Sequence, residues 1–262
     1  MELADRHVVV TGAGSGIGRA LAQRFADEGA RAVVVADLNL EAAQDVAQQI
    51  GGLAVKTDVA DEQSIKDLVA RARSENGAID LFFSNAGIGG PAGGPEAPDE
   101  EWERTWRINT MAHIWAARAV LPEMVARGEG YLLSTASAAG LLTQVGALAY
   151  SVTKHAAVAV AEWLAITYGD AGIKVSCLCP QGVRTPMLEA ALEDPIGSAP
   201  LLAEGLLEPE EVAEAVVAGI RAEQFLILPH GAVAGYMARN ASQPARWLTG
   251  RRRNVRDARA AD

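Results

Sequence analysis

A tyrosine and a lysine four positions apart, Tyr150 and Lys154, have the types and spacing for acid–base chemistry. They lie in a segment with helical periodicity, so both side chains fall on one face of a helix. A free tyrosine has a pKa of about 10, too high for a base at neutral pH. A nearby ammonium favours the phenolate and lowers that pKa. The pair could therefore exchange a proton with an alcohol or ketone, although an isolated pair of this kind usually decorates a surface.

A run of glycines follows the first aliphatic segment and forms a second chemical motif. In VVVTGAGSGIGRA, residues 11–18 come after a predicted strand and open a predicted helix. Glycines let the backbone turn tightly and approach a pyrophosphate, and the helix N-terminus offers free N–H groups and a positive dipole. Because strand, glycines and helix occur in that order, the motif predicts a nucleotide site rather than a structural turn.

An acidic residue, Asp37, ends the second aliphatic segment, about 20 residues after the glycines. A carboxylate at this point can accept hydrogen bonds from both hydroxyls of an adenosine ribose, and it repels a 2′-phosphate. No Arg or Lys occupies positions 13–15 or 37–39. We therefore expect NAD, not NADP, as the cofactor. The alternative is a solvated acid at a helix start.

The apolar pattern predicts the elements that must position these residues. Aliphatic runs at 7–10, 32–36, 53–55, 79–83, 131–133, 175–178 and 225–228 alternate with helical segments at 16–28, 40–50, 61–76, 99–127, 150–170 and 208–222. The runs are nearly continuous, which is typical of parallel strands buried on both faces. The alternation predicts an α/β fold in one domain, with a doubly wound parallel sheet of about seven strands flanked by helices.

Together the motifs resemble those of the short-chain dehydrogenases/reductases of the TGxxxGxG and YxxxK type, over about residues 5–230. They occur in the family's order, at residues 11–18, Asp58-Val59, Asn85-Ala86-Gly87, Asn109, Ser137, residues 150–154, and Pro180 with Val183 and Thr185. The resemblance implies a single-domain Rossmann fold and a hydride-transferring oxidoreductase that binds a nicotinamide dinucleotide.

The resemblance also implies a role for each matching residue. The catalytic set would be Asn109, Ser137, Tyr150 and Lys154. The cofactor would be held by Gly12, Ser15, Gly16, Ile17, Gly18, Asp37, Leu38, Asp58, Val59, Asn85, Ala86, Gly87, Tyr150, Lys154, Val183 and Thr185. Within that set, Asp58 and Val59 would border the adenine, and Val183 and Thr185 would meet the nicotinamide carboxamide.

Two of these residues would assist the Tyr150–Lys154 pair. Ser137 follows the fifth predicted strand, and its hydroxyl could hold the substrate oxygen as charge develops. Asn109 lies inside the predicted helix 99–127, where its side chain could hold a water that joins Lys154 to solvent.

Two positions depart from the family pattern. Ser84 stands where the family has Asn before Asn85. Because a Ser hydroxyl can still hydrogen-bond to nearby backbone, we expect this replacement to affect the site only modestly. Gln181 stands where the family has Gly after Pro180, and it either reads the substrate or faces solvent. Our candidate substrate residues are Gln144, Gln181 and Met187.

The last third of the chain interrupts the strand–helix pattern. Residues 186–207 are apolar, proline-containing and poorly periodic, which predicts a mobile lid over an apolar substrate. We therefore divide the chain into a catalytic domain, residues 1–239, and an Arg-rich tail, residues 240–262. Such a tail is more often a frayed terminus or a subunit contact than a nucleic-acid patch. It could reinforce or block the homodimer or homotetramer that the resemblance implies.

Composition excludes several classes of function. The 262 residues carry a net charge of -10, which argues against nucleic-acid binding and anionic membranes. With no membrane span, no signal peptide, and Cys177 and Cys179 expected as free thiols, we expect a cytoplasmic protein. The four histidines, at positions 7, 113, 155 and 230, show no ligand spacing, so we expect no metal.

The sequence thus predicts an NAD-dependent oxidoreductase that interconverts an apolar secondary alcohol and its ketone, with Tyr150 as general acid/base. Two alternatives stay open. One is an NADPH-type reductase of carrier-bound acyl or polyketide substrates, and the other is a catalytically silent dinucleotide-binding sensor.

Overall fold

A computed structural model describes residues 1–191 and 205–259 and shows a seven-stranded parallel sheet. The strands are β1 (His7–Thr11), β2 (Ala32–Asp37), β3 (Leu53–Lys56), β4 (Leu81–Ser84), β5 (Gly130–Thr135), β6 (Ile173–Leu178) and β7 (Leu226–Ile227). Their order is β3-β2-β1-β4-β5-β6-β7. The order in which strands are added to the sheet therefore reverses between β1 and β4, where a crevice opens at the carboxyl ends of the strands. The predicted α/β fold is confirmed.

Helices cover both faces of this sheet. In chain order they are α1 (Gly16–Asp27), α2 (Leu40–Ile50), α3 (Glu62–Asn76), α4 (Asp99–Trp106), α5 (Ala112–Arg127), α6 (Ala139–Leu142), α7 (Leu148–Tyr168), α8 (Pro186–Ala191), α9 (Pro209–Arg221), α10 (Ala232–Ser242) and α11 (Pro244–Arg259). Helices α1, α2 and α9 pack on one face, and α3, α5 and α7 pack on the other.

Burial on both faces explains the unbroken aliphatic runs. In β1, Val8 and Val10 belong to the core beneath α1, α2 and α9, whereas Val9 belongs to the core beneath α3, α5 and α7. Every residue of β1 and β5 is buried. Because consecutive side chains point to opposite faces and both faces are covered, no polar alternation develops.

Three segments differ from the predicted pattern. The predicted helix 99–127 is two helices joined by a single π-helical stretch, Arg107–Met111. The expected boundary at residue 239 falls inside α10, and the described part of the Arg-rich tail is helical. Of the predicted lid, residues 186–191 form α8 and Leu207 forms an isolated parallel bridge with Val183. The rest of the lid, residues 192–204, lies outside the described residues.

Two further findings concern the cysteines and the question of membrane-spanning helices. Cys177 and Cys179 are buried free thiols whose sulfur atoms lie 3.8 Å apart. Within residues 1–191 and 205–259, no helix has both the length and the apolarity needed to cross a membrane.

Candidate active site

A cavity of about 740 Å³ opens at the carboxyl ends of the strands. Its wall includes residues at or just after the ends of six strands, namely Gly12, Asp37, Thr57, Asn85, Thr135 and Pro180. All the predicted cofactor residues except Gly18 line it, as do Ser137, Tyr150 and Lys154. Gln144, Gln181 and Met187 line it as well. Gly18 and Asn109 lie outside the wall, so they act on the site through other residues.

Glycines after β1 give one end of the cavity its shape. Gly12 has a φ of 63°, and a Cβ there would lie 2.8 Å from the Cα of Ala86. Gly16 has a φ of 51° and begins α1. Ser15, the N-cap of α1, makes no side-chain capping bond, and the first turn holds no acidic residue. The loop and the helix N-terminus thus form a cradle of backbone N–H groups and positive dipole, which fits the pyrophosphate of a dinucleotide.

Gly18 contributes close packing and does not line the cavity. A Cβ at Gly18 would lie 2.1 Å from the carbonyl oxygen of Gly12 and 2.5 Å from Nδ2 of Asn85. Asn85 uses that Nδ2 to donate to the carbonyls of Thr11 and Gly12, at 3.0 and 3.3 Å. Its Oδ1 accepts from the Thr135 hydroxyl at 3.0 Å. Asn85 therefore ties the glycine loop to β5, a role that its sequence motif did not predict.

Asp37 is held at the cavity by two backbone groups. Its Oδ2 accepts from the N–H of Gly14 and its Oδ1 accepts from the N–H of Asn39, both at 2.9 Å. Each oxygen keeps acceptor capacity for a further hydrogen bond. Leu38, the next residue, is 61% exposed at the rim. The contact with Gly14, which belongs to the predicted glycine motif at residues 11–18, fixes the carboxylate beside the cradle.

Lys154 is a buried cation with one clear partner. It is 2% exposed, and its Nζ donates to the carbonyl oxygen of Thr135 at 2.9 Å. The Nζ lies 5.7 Å from the centre of the Tyr150 ring. Burial lowers the pKa of Lys154 to about 8, because desolvation penalises the ammonium.

The pKa of Tyr150 differs from our expectation. Burial raises it, since the phenolate loses solvation, and the neighbouring Ser137 hydroxyl opposes that rise. We expected the Lys154 ammonium to lower the pKa. In the structure that ammonium donates to Thr135, and desolvation is the largest influence on the phenol. A base at this position therefore needs further positive charge near the ring.

Ser137 lies where β5 gives way to α6, as predicted. Its Oγ accepts from the N–H of Ala139 at 3.1 Å and donates to the carbonyl of Pro180 at 3.4 Å. Helix α6 then packs closely on α7, because a Cβ at Gly140 would lie 2.5 Å from the carbonyl oxygen of Lys154. Gly140 thus sets the spacing between the segments that carry Ser137 and Lys154, and no sequence signal marked it.

Asn109 supports the site from the π-helical stretch before α5. Its Oδ1 accepts from the N–H of Ile88, and its Nδ2 donates to the carbonyl of Ile88, both at 2.9 Å. The same Nδ2 donates to the hydroxyl of Thr153 at 3.2 Å. The side chain is fully buried and makes three hydrogen bonds to protein groups, a bracing role beyond the water-holding role that we expected. It holds the loop after β4 against α7.

The substrate candidates come from three separate segments. Gln144 precedes α7 and is tied to Ser151, whose hydroxyl accepts from its N–H and donates to its carbonyl. Gln181 follows β6, and its N–H donates to Nδ1 of His230 at 3.2 Å. Met187 lies in α8. Nowhere in the described part of the chain do three or more His, Cys, Asp or Glu side chains gather as metal ligands would.

Comparisons with known proteins give the family. The family model described as short chain dehydrogenase matches residues 6–195. The chain belongs to the short-chain dehydrogenase family. A 1-deoxy-11-beta-hydroxypentalenate dehydrogenase from Streptomyces exfoliatus is 37% identical over 87% of this chain and 84% of that protein. A cyclohexanol dehydrogenase from Acinetobacter sp. is 36% identical over 81% and 86%.

A solved structure agrees with that membership. A short chain dehydrogenase/reductase from Burkholderia phymatum in complex with NAD superposes with a TM-score of 0.83. It is 28% identical and covers 92% of this chain and 95% of its own. As a member of the family, this dehydrogenase binds a nicotinamide dinucleotide and is an oxidoreductase of alcohol and ketone substrates.

Proposed function

We propose that this dehydrogenase uses NAD to interconvert an apolar secondary alcohol and its ketone, with Tyr150 as the general acid/base. The observation that carries the proposal is the meeting of Ser137, Tyr150 and Lys154 at one end of a cavity whose other end is a glycine cradle. When bound, the dinucleotide supplies the redox chemistry by accepting or giving up a hydride.

The chain's own residues handle the proton and the oxygen. Tyr150 takes the hydroxyl proton of the alcohol on its Oη, or returns it to the ketone oxygen in the reverse direction. Ser137, beside the same phenol, holds the substrate oxygen while its charge changes. Lys154 is a buried cation held by the Thr135 carbonyl, and its Nζ lies 5.7 Å from the centre of the Tyr150 ring. The buried phenol requires further positive charge, which an oxidised nicotinamide bound beside it would supply.

NAD is the preferred dinucleotide in this proposal because of Asp37. Its carboxylate, oriented by Gly14 and Asn39, lies at the cavity with acceptor capacity left for ribose hydroxyls. The same negative charge would repel a 2′-phosphate. The NAD in the Burkholderia phymatum structure supports this choice.

A cyclic or aliphatic alcohol of modest polarity suits the opposite end of the cavity. Ile88, Met187 and Leu188 provide apolar wall there, and Gln144 and Gln181 provide amides. The relative named cyclohexanol dehydrogenase supports a cyclic secondary alcohol as the first probe.

The proposal is tested with cyclohexanol and cyclohexanone, followed by NADH absorbance. Tyr150→Phe keeps the ring and removes the hydroxyl, so we expect turnover to fall about 1000-fold or more while NADH affinity is retained. Substantial residual turnover would contradict the role of Tyr150 as general acid/base. A preference for NADPH would favour the reductase of carrier-bound substrates. If no alcohol or ketone is turned over, the result would favour the alternative of a catalytically silent dinucleotide-binding sensor.

We further propose that the enzyme is a homodimer or homotetramer. An exposed apolar stripe runs along α7, formed by Leu148, Val152, Trp163 and Ile166, with Trp163 58% and Ile166 78% exposed. Such a stripe favours burial against another subunit. Light scattering should show a smaller species for Ile166→Glu than for Asp45→Lys, a charge change on the opposite face of the sheet. Equal masses for the two variants would refute this interface.

A further inference from the structure

The Arg-rich C-terminal segment is the sequence feature to which the proposed function gives no role. Its described part forms α11, and Arg251 extends from this helix to another part of the fold. The Nη2 of Arg251 donates to the carbonyl oxygen of Thr143 at 3.2 Å. Its neighbour Arg252 donates to the hydroxyl of Thr249 within α11, also at 3.2 Å. Of these two adjacent arginines, Arg251 therefore bonds to a distant segment, whereas Arg252 bonds within its own helix.

Thr143 occupies a strained turn beside the cavity. It is the C-cap of α6 and has a φ of 64°, a left-handed conformation that costs a threonine energy. The residue that follows is Gln144, which lines the cavity. A non-glycine residue keeps such a conformation only when surrounding contacts enforce it. Arg251 supplies one of these contacts, and the bonds between Gln144 and Ser151 supply others.

Arg251 is itself fixed by aromatic rings. Its guanidinium carbon lies 5.9 Å from the ring centre of Trp247, one turn earlier on α11. The ring of Trp247 lies 6.0 Å from that of Tyr236 on α10. Arg251 is half-buried, and this burial lowers the pKa of its guanidinium. The side chain is therefore held in place and is not a free surface arginine.

The residue that precedes the two C-terminal helices contacts a second segment of the cavity wall. Helix α10 begins just after His230, whose Nδ1 accepts from the N–H of Gln181. His230, just before α10, and Arg251 on α11 therefore contact the two segments that present an amide to the cavity, at Gln181 and beside Gln144.

We propose that Arg251 is a positioning residue for the substrate end of the cavity. By holding the carbonyl of Thr143, it keeps the turn in place and fixes Gln144 in the cavity wall. The Arg-rich segment is then a part of the substrate site. The consequence for substrate binding rests on the proposed function, because it needs an alcohol that the enzyme turns over.

Steady-state kinetics with cyclohexanol test that consequence. Arg251→Met removes the hydrogen bond and keeps an apolar side chain against Trp247, so we expect KM to rise about three- to tenfold with a smaller change in kcat. Arg251→Lys retains a donor and should give an intermediate KM. The dissociation constant of NADH should stay within about twofold. Arg252→Met is the matched control, and we expect it to behave as the unaltered enzyme.

Hydrogen–deuterium exchange tests the positioning role without any substrate. Exchange in residues 138–149 should be faster in Arg251→Met than in Arg252→Met, with equal exchange in β1 and α1. Equal exchange in residues 138–149 overturns the positioning role. A KM for Arg251→Met equal to that of Arg252→Met overturns the consequence for the substrate. Should the enzyme turn over no alcohol, the proposed function fails while the exchange measurement still decides the role of Arg251.

Discussion

The two ends of the cavity are built by different means. At the cofactor end the shape comes from backbone, and added Cβ atoms at Gly12 and Gly18 would lie 2.8 and 2.1 Å from other atoms. At the substrate end the wall comes from side chains on loops and short helices, and Gly89 has open space where a Cβ would be. The cofactor end therefore tolerates no change of shape, whereas the substrate end can change its chemistry while the sheet stays intact.

The largest effect should follow from crowding the cofactor end. In Gly18→Ala the new methyl group would lie against the carbonyl of Gly12 and the amide of Asn85, both of which are fixed. We expect a loss of about 3 kcal/mol or more in the free energy of unfolding and at least about a 100-fold loss of NADH affinity. Gly89→Ala is the matched control and should change stability by no more than about 0.5 kcal/mol. Equal effects of the two changes would contradict the comparison.

The charge at the cofactor end should matter next. Asp37→Asn keeps the size and removes the negative charge, so the preference for NAD over NADP should fall about 10- to 100-fold. Asp58→Asn is the control, because Asp58 also lines the cavity and its Oδ1 accepts from the N–H of Ala60. Ratios of kcat/KM for the two cofactors measure the preference. If Asp58→Asn shifts the ratio as much as Asp37→Asn, the choice of cofactor does not depend on Asp37.

The cofactor end was also the end whose local signals were readable from the sequence. Strands buried on both faces leave unbroken aliphatic runs, and a backbone cradle requires glycines at fixed positions after a strand. Both signals are local, so the order of strand, glycines, helix and Asp37 could be interpreted without knowing any contact. Even here the sequence did not show that Gly18 allows close packing against Gly12 and Asn85 and does not itself line the cavity.

The substrate end depends on contacts between residues far apart in sequence. Asn109 holds Ile88, and Arg251 holds Thr143, by hydrogen bonds to backbone carbonyls. No periodicity or spacing records such contacts, so the sequence could suggest that these residues matter but not what they hold. Leu207, at the end of the predicted lid, shows the same limit, since no periodicity marked its parallel bridge with Val183.

On the face of the sheet covered by α5 and α7, burial of a titratable group should make stability depend on pH. Burial, with the nearby Lys154 charge, lowers the pKa of His113 from 6.5 to about 3. The unfolded chain therefore binds more protons than the folded chain in this window, and stability falls as the pH falls below 6.5. From pH 7 to pH 5 this residue should cost about 2 kcal/mol in the free energy of unfolding.

The variant His113→Leu removes that titration and should remove the corresponding acid sensitivity. Urea unfolding at pH 7 and pH 5 measures the difference, and His155→Gln, an exposed position on α7, is the control. The comparison uses the change between the two pH values, because His113→Leu also alters packing at both. An unchanged pH dependence in His113→Leu would show that His113 is not the group responsible.

The smallest effect should come from Gln181, at the substrate end. Its Oε1 is buried and has no hydrogen-bond partner among the described residues, while the residue itself lines the cavity. An amide in this state can satisfy a substrate hydroxyl, which an apolar side chain cannot do. Gln181→Met should therefore lower kcat/KM for cyclohexane-1,4-diol about fivefold relative to cyclohexanol.

The affinity for the cofactor should not respond to Gln181→Met. Because the N–H of Gln181, and not its side chain, bonds to His230, Gln181→Met keeps the backbone contact and should leave the dissociation constant of NADH unaltered. Equal losses for the two alcohols would mean that the side chain faces away from the substrate. A weaker affinity for NADH would mean that the two ends of the cavity are coupled, since a side chain at the substrate end would then influence the backbone cradle at the other.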